Sequence, residues 1–220
     1  MRGFYVLLAV VGIGGGAWLI YAARHKPEPA PIPTAPAPVA PAGAFRGYTL
    51  GSESAPVHIT EYSDFECPFC AAFATVQMPE VHAQLIATGK VQWRFRDFPL
   101  SNHKYSRTAA LAAQCGGEQG KFWEMHDQLF FNHQWAQTGK NPSGLFGGFA
   151  KTIGLDADRY DACMDSQRYA GRLEESRQEG EAIGVDHTPS FYVDGRAFTG
   201  RPTSDAFKAL VDSLIALRKR

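Results

Sequence analysis

The spacing of hydrophobic and polar residues predicts an ordered series of strands and helices from residue 45 onward. Short apolar runs at 56–62 and 91–100 are typical of strands, and the run 68–90 between them repeats its apolar positions at helical spacing. Helical patterns then predominate until two short strands and a final helix. The helical patterns lie at 104–115, 118–131, 142–154, 156–166 and 169–184, the two strands at 190–195 and 196–200, and the final helix at 204–219.

This order, βαβ followed by a helical block and ββα, predicts an α/β fold with a mixed sheet. A βαβ unit places two strands in parallel with a right-handed crossover, whereas the turn at Asp194 and Gly195 favours an antiparallel hairpin. The helical block at about 103–184 is then an insert within a single domain of residues 45–220.

The first part of the chain has a different texture. Residues 1–26 contain an uncharged run, 3–23, that as a helix would cover the roughly 30 Å hydrocarbon core of a bilayer. Ile20 and Tyr21 precede Ala22, which makes a poor signal-peptide cleavage site. We therefore predict an uncleaved membrane anchor, and a cleaved secretory signal is the alternative.

Residues 27–44 form a linker that is rich in proline and alanine. Seven of the fourteen prolines of the chain fall in it, and proline holds a chain extended, so this segment is expected to be a spacer between membrane and domain. Arg24 and Lys26 follow the apolar run and Arg2 precedes it, a charge balance that opposes export of the domain. The cysteine chemistry described next outweighs this weak bias in our interpretation.

Cys67 and Cys70 form a C-P-F-C motif where the first strand gives way to the first helix. Cys67 takes the expected N-cap position and Pro68 the first helical position, where proline is favoured. The free amides and the dipole of a helix start stabilise a thiolate, so the pKa of Cys67 is expected to fall. Cys70 lies one turn further along, where it can resolve a mixed disulfide on Cys67.

A C-x-x-C pair has two other common uses, a metal site and a structural bridge. A zinc site needs a second close pair or a histidine cluster, but Cys115 and Cys163 are isolated and His187 stands alone. A structural bridge over two residues closes too short a loop to stabilise the fold much. We therefore expect a redox-active pair that requires neither a metal nor another cofactor.

Composition argues against a role that depends on polyanion binding. Lys and Arg together number 22 and Asp and Glu together number 22, so no global field favours nucleic acid. The four cysteines are too few for a disulfide-dense scaffold but sufficient for two bridges. If the active pair is to remain free to cycle, the second bridge is Cys115 with Cys163, and two buried free thiols are the alternative.

The motifs in residues 61–70, 95–100, 109–130 and 184–200 resemble the DsbA-like thiol:disulfide oxidoreductases, especially the extracytoplasmic branch with the BdbD-type proteins. The resemblance covers the chain from about Gly47 to its C-terminus. It implies a thioredoxin fold with an inserted helical domain, the same order that the hydrophobic pattern predicts. It also implies exported protein substrates and a membrane partner that renews the disulfide.

The resemblance assigns roles to three further residues. Pro189 corresponds to the family's cis-proline, and Thr188 before it is expected to present its backbone near Cys67, where a substrate peptide can add as a strand. The alternative for Pro189 is an ordinary trans-proline at a strand start. Glu61 corresponds to a buried acid that exchanges a proton with Cys70, and a strand-edge carboxylate facing water is the alternative.

The chain departs from DsbA at two positions. Phe69 replaces a histidine that is held to stabilise the active thiolate, so we expect a higher Cys67 pKa and weaker oxidising power than in DsbA. His187 lies two residues before the expected cis-proline. It is either a modulator that donates a hydrogen bond near the sulfur or a loop histidine that faces solvent.

The sequence therefore predicts a membrane-tethered, extracytoplasmic protein thiol:disulfide oxidoreductase that donates its disulfide to exported proteins. A reductase or isomerase with the same site is the second hypothesis. A third, from another class, is a peptide-binding holdase with a vestigial redox site.

Overall fold

The computed structural model describes residues 45–218, so the predicted anchor and linker in residues 1–44 lie outside the described part of the chain. The strands are β1 (Tyr48–Leu50), β2 (Val57–Ser63), β3 (Val91–Asp97), β4 (Ser190–Val193) and β5 (Arg196–Ala197). They form one five-stranded sheet in the order β1-β3-β2-β4-β5. β2 and β3 are parallel, and the β1–β3, β2–β4 and β4–β5 pairs are antiparallel. The predicted mixed sheet is confirmed.

The helix after β2 is one helical run that alternates between two geometries. It comprises α1 (Pro68–Ala72), a π-helical segment (Phe73–Gln77), α2 (Met78–Val81) and a second π-helical segment (His82–Ile86). The last helical residue is Ile86, three residues before Gly89. Gly89 has a φ of 71°, a left-handed conformation that glycine adopts without steric cost at the end of a helix.

The insert between β3 and β4 is helical throughout its regular elements. Its helices are α3 (Ser106–Glu118), α4 (Phe122–Phe131), α5 (Ser143–Thr152), α6 (Ala157–Ser166) and α7 (Ala170–Ala182), with a short 3-10 helix at His133–Gln137 that the sequence pattern did not predict. The helix α8 (Ser204–Arg218) follows β5. None of the helices described within residues 45–218 is both long and apolar enough to span a bilayer.

The inner face of β2 shows why these residues form a buried strand. Val57 and Ile59 are fully buried in a cluster with Trp93 and Phe191 of the neighbouring strands, whereas His58 between them is exposed. The alternation follows from the two-residue period of a strand. Phe207 of α8 belongs to the same cluster, which lies beneath the helical run that carries the cysteines.

A second cluster joins the cysteine helix to the insert. Phe122 and Phe130 are buried in it, whereas Phe131, the next residue of α4 and about 100° further round the helix, is 55% exposed. Cys115 of α3 and Cys163 of α6 are linked by a disulfide across 48 positions of sequence. Both sulfurs lie within this cluster.

The hydrophobic pattern missed β1, which has only three residues. Its Tyr48 ring stacks on Phe122 at 3.7 Å between centroids, so this edge strand is held by the insert as well as by β3. At the other edge, Asp194 and Gly195 both have positive φ, 48° and 80°, in the tight turn between β4 and β5.

Candidate active site

The turn between β2 and α1 is organised by the buried side chain of Asp64, which sequence reasoning did not single out. Its carboxylate accepts hydrogen bonds from the amides of Glu66 and Leu100 at 2.8 Å each and from the Ser106 hydroxyl at 2.7 Å. His103 Nδ1 also lies 2.8 Å from it. These contacts fix the turn against the start of the insert, and with it the N-terminus of α1.

Cys67 occupies the N-cap of α1, with Pro68 in the first turn. Its φ and ψ of −75° and 122° are extended, as an N-cap requires, and no side chain caps the helix at this residue. The pKa of Cys67 is lowered to about 5, mainly by a hydrogen bond from the Cys70 side chain, with burial opposing. The Thr188 side chain and the amides of Cys70 and Phe69 lower it further. Cys67 is only 4% exposed.

Cys70 has the opposite electrostatic character. It is completely buried, and burial together with the neighbouring Cys67 raises the pKa of its thiol well above the ordinary value. The Asp64 backbone and the Ser63 side chain oppose this shift only in part. Both cysteines are free thiols, so the structure represents the reduced protein. One sulfur is therefore ready to react as a thiolate, and the other keeps its proton.

Thr188 and Pro189 lie opposite the cysteine pair at the start of β4. The peptide bond between them is cis, and the thiol of Cys67 donates a hydrogen bond of 3.4 Å to the Thr188 carbonyl oxygen. Ser190 turns its hydroxyl back onto the His187 carbonyl at 2.8 Å, which fixes the loop before the strand. The structure thus brings together the residues that the motifs placed far apart in sequence.

Glu61 lies on the inner face of β2 and is 3% exposed, so it is not a strand-edge residue facing water. Burial raises the pKa of its carboxyl, and His126, Ser63 and Trp93 oppose that shift. The Trp93 indole nitrogen donates a hydrogen bond of 3.1 Å to one carboxylate oxygen. A buried carboxyl of this kind holds a proton at higher pH than an exposed one.

His187 has the placement of the second alternative, a loop histidine that faces solvent. Its side chain is 75% exposed, and Nδ1 bonds the adjacent Asp186 carboxylate at 2.6 Å, since the loop turns the ring outward. A different histidine is influenced by the site. Burial lowers the pKa of His133 in the insert, and the backbone of Glu66 and Phe65 and the charge of Cys67 oppose that shift. Sequence spacing could not have identified it.

An apolar groove of about 470 Å³ runs beside the cysteine pair. Phe69, at the edge of the groove, is 74% exposed. Val76, seven residues further along the same helical run, is 64% exposed. The remaining wall includes Phe73, Thr188, Pro189 and Pro202. Within residues 45–218, no group of three or more histidine, cysteine or carboxylate side chains is arranged to hold a metal ion.

The chain is similar in sequence and in fold to known proteins. The sequence model of the family described as thioredoxin matches residues 45–213. Disulfide bond formation protein D of Bacillus subtilis is 26% identical over 166 residues, which cover 74% of each protein. The crystal structure of oxidised BdbD from Bacillus subtilis has a TM-score of 0.65 at 24% identity, covering 76% of this chain and 92% of that one.

The chain is also similar to a set of much longer proteins. It is 33% identical over 220 residues to the Na(+)/H(+) antiporter NhaA 1 of Salinispora arenicola, which covers 96% of this chain. The chain spans only 32% of the length of that relative.

Proposed function

The chain belongs to the thioredoxin family, and from that membership and the cysteine site we propose that it is a protein thiol:disulfide oxidoreductase that introduces disulfides into other proteins. The observation that carries the proposal is the opposite pKa shift of two adjacent thiols, lowered at Cys67 and raised at Cys70. Names of the longer relatives describe ion exchange, but nothing in the described residues of this chain suggests a role in it.

The proposed reaction begins with the Cys67–Cys70 disulfide. A substrate thiolate attacks the Cys67 sulfur, the disulfide breaks, and Cys70 leaves with the electron pair and takes up a proton. A second substrate thiolate then attacks the substrate sulfur of the mixed disulfide and expels Cys67 as a thiolate. The substrate is oxidised by two electrons and the cysteine pair is reduced. No cofactor enters these steps.

The direction of the reaction follows from the leaving group. A thiol of low pKa leaves faster and its thiolate is the more stable product, so a Cys67 pKa of about 5 favours release of oxidised substrate. The substrate peptide is proposed to lie in the groove beside Phe69 and Val76 and to pair with the backbone of Thr188. Recognition by backbone and apolar contacts suits a catalyst that acts on many unfolded chains.

The decisive experiment uses the full chain with its disulfide formed. Mixed with a reduced, unfolded test protein, it should generate disulfides stoichiometrically, and the Cys67→Ala variant should generate none. Equilibration with glutathione distinguishes an oxidase from a reductase. The disulfide of an oxidase is reduced at a lower concentration of reduced glutathione than the disulfide of a reductase. The holdase hypothesis would be favoured if wild-type protein neither oxidised the test protein nor reduced insulin but suppressed aggregation of the test protein.

We further propose that residues 3–23 anchor the domain to a membrane with residues 27–44 as spacer, and that a membrane partner reoxidises the pair outside the cytoplasm. The apolar character of the run and the chemistry of the cysteines support this. In intact cells, a membrane-impermeant thiol reagent should label Cys67 after mild reduction, and the protein should sediment with membranes with residue 3 retained. A soluble product that begins near Arg24 would contradict the anchor.

A further inference from the structure

The groove beside Phe69 and Val76 continues past the cis-proline. His187, Pro189 and Pro202 line that groove and also a second depression of about 300 Å³, so the two meet at these residues. The second depression shares part of its wall with a larger groove of about 650 Å³. The shared residues are Ala197, Phe198, Thr199 and Gly200. A continuous path therefore leads along the surface from the cysteine pair to the edge of the sheet.

The larger groove, termed the edge groove, lies between β5 and the second half of α8. One wall consists of Leu210, Leu214 and Leu217, which are three and four positions apart and so share one side of the helix. Leu210 and Leu214 are half-buried, and Leu217 is 62% exposed. Phe198, stacked on Phe207 at 4.7 Å between centroids, adds an aromatic ring to the lining. A contiguous apolar surface of this kind commonly marks a binding site.

β5 offers backbone groups to a molecule in the edge groove. It is the last strand of the sheet, so one of its edges has no strand beside it within residues 45–218. The Phe198 amide donates a hydrogen bond of 2.8 Å to the Phe191 carbonyl oxygen. Because successive residues of a strand direct their backbone groups to opposite edges, the amide and carbonyl of Ala197 point away from β4. An extended peptide can pair with these two groups.

The charges around the edge groove favour an acidic peptide. Asp194 and Arg218 are paired with each other at 2.6 Å. Arg196 is the remaining charged residue of the lining; it is exposed and makes no ion pair among the described residues. A carboxylate next to the apolar residues of a peptide would complement this guanidinium.

We propose that the edge groove holds an apolar segment of the same substrate chain whose cysteine reacts at Cys67. The segment is extended, carries leucine-like side chains and an acidic residue, and pairs with the backbone of Ala197. The proposal rests on the oxidoreductase function proposed above and names the substrate as a polypeptide long enough to occupy both grooves.

The distance between the two grooves sets a spacing in the substrate. β4 leads from Pro189, opposite Cys67, to the turn at Asp194, which lines the far end of the edge groove. Five residue steps separate Pro189 from Asp194, and at about 3.3 Å per residue they span about 16 Å. A substrate that follows this path as an extended chain therefore places its apolar residues about four to eight positions from its cysteine.

The experiment uses the full chain in detergent with Cys70→Ser, so that an adduct on Cys67 persists. Each peptide has one cysteine, activated as its mixed disulfide with thionitrobenzoate. The Cys67 thiolate attacks the peptide sulfur and expels thionitrobenzoate, whose colour gives the rate. A Leu-Leu-Glu segment is placed before or after the cysteine at shorter, matching and longer spacings of glycine and serine. The matching spacing should react about tenfold faster than a peptide without the segment, since burying one leucine is worth at least that factor in affinity.

Leu217→Glu is the variant that tests the edge groove. Leu217 is the most exposed residue of the apolar wall, so the substitution leaves the core intact, and its carboxylate repels the acidic peptide. The ratio of the rate constants with and without the segment should fall from about tenfold to about one. Leu145→Glu is the matched control and should keep the parent ratio, because Leu145 is 47% exposed on α5 and lines none of the three depressions.

Hydrogen exchange locates the bound segment without any thiol chemistry. A peptide of matching spacing, with serine in place of its cysteine, should slow exchange of the Ala197 amide in the parent protein. It should not do so in Leu217→Glu.

The possible failures are distinguishable. If no peptide releases thionitrobenzoate, the oxidoreductase function itself fails, and hydrogen exchange with the serine peptide still tests the groove. If the peptides react but the rate does not depend on spacing, or if Leu145→Glu lowers the ratio as much as Leu217→Glu, the edge groove does not hold substrate. If the groove instead holds a second copy of the chain, the protein should sediment as a dimer that Leu217→Glu dissociates, and that result also overturns the proposal.

Discussion

The thiol of Cys67 and the carbonyl oxygen of Thr188 are hydrogen-bonded across 3.4 Å, although the residues are 121 positions apart in the chain. The contact joins the N-terminus of α1 to the loop before β4. Because the backbone of residue 188 faces the reactive sulfur, a peptide that pairs with that backbone presents its own cysteine to Cys67. In the proposed reaction, Thr188 would therefore couple substrate binding to the chemistry at Cys67.

Cys70 is the largest single cause of the low Cys67 pKa, and this can be tested by removing its side chain. Cys70→Ala should raise the Cys67 pKa from about 5, whereas Cys70→Ser should raise it less, because the hydroxyl can still donate to the thiolate. The measurement is the pH dependence of alkylation by a small reagent, with peptide mapping. In wild type the label should appear on Cys67 and hardly at all on Cys70.

The same pKa shift predicts how the stability of the reduced protein depends on pH. The folded-state pKa of Cys67 is depressed from 9.0 to about 5, so its contribution is fully present above pH 9 and is lost as the pH falls toward 5. The oxidised protein has no such thiol. As the pH rises from about 5 to 9, the free energy of unfolding of the reduced form should therefore increase relative to that of the oxidised form. If the two free energies change in parallel with pH, the shift of the Cys67 pKa is contradicted.

Phe69 allows a direct test of how the dipeptide sets the potential. Its ring is exposed, so Phe69→His places a chargeable donor beside the sulfur without disturbing the core. The variant should lower the Cys67 pKa further and make the protein a stronger oxidant, by on the order of 30 to 60 mV, one to two tenfold steps in the equilibrium constant. Titration against glutathione, with thiolate absorbance followed against pH, measures both quantities.

Phe69→Leu is the matched control, since it keeps an apolar side chain and adds no donor. A histidine variant with an unchanged or higher Cys67 pKa would mean that another group already dominates the sulfur. His133 would then be the first residue to examine, because His187 points into solvent.

The parts of the site that depend on local chemistry could be predicted from sequence. A cysteine followed by proline at the change from strand to helix defines an N-cap in any context, and the hydrophobic period defines the elements around it. The pairing of Asp64 with the insert and the approach of His133 could not be predicted, because they depend on how distant helices pack. β1 was missed because three residues are too few to establish a period.

The disulfide between Cys115 and Cys163 should stabilise the insert. It closes a loop across 48 positions, for which the loss of chain entropy in the unfolded state corresponds to about 4 kcal/mol. Replacing both residues with alanine should lower the free energy of unfolding by about that amount, measured in guanidinium chloride.

The comparison is best made in a background where Cys67 and Cys70 are both serine, so that only one disulfide varies. Mass analysis after mild reduction of wild type should still find Cys115 linked to Cys163. A double-alanine variant as stable as its parent would show that helix packing alone holds the insert.

Asp97 at the end of β3 is a buried carboxyl without an ionic partner at hydrogen-bond distance among the described residues. One oxygen accepts a hydrogen bond of 2.7 Å from the Gln114 amide, and the other is unpaired. Burial raises its pKa from 3.8 to about 7, and Gln114 and the more distant Arg96 oppose the shift.

This shift predicts that Asp97→Asn stabilises the protein only at higher pH. An acid with a raised native pKa binds a proton in the folded state that the unfolded state has released, so stability falls as pH rises from about 4 to about 7. Asparagine keeps the oxygen that accepts from Gln114 and has no proton to lose. The difference in unfolding free energy between variant and wild type should be smallest near pH 4 and grow by at most about 1.4 kcal/mol per pH unit up to pH 7. Subtracting the two curves cancels the similar contribution of Glu61, which both proteins retain. The exposed Asp165→Asn is the control and should add no such slope; parallel curves for wild type and Asp97→Asn would mean that Asp97 is ionised in the folded protein throughout this range.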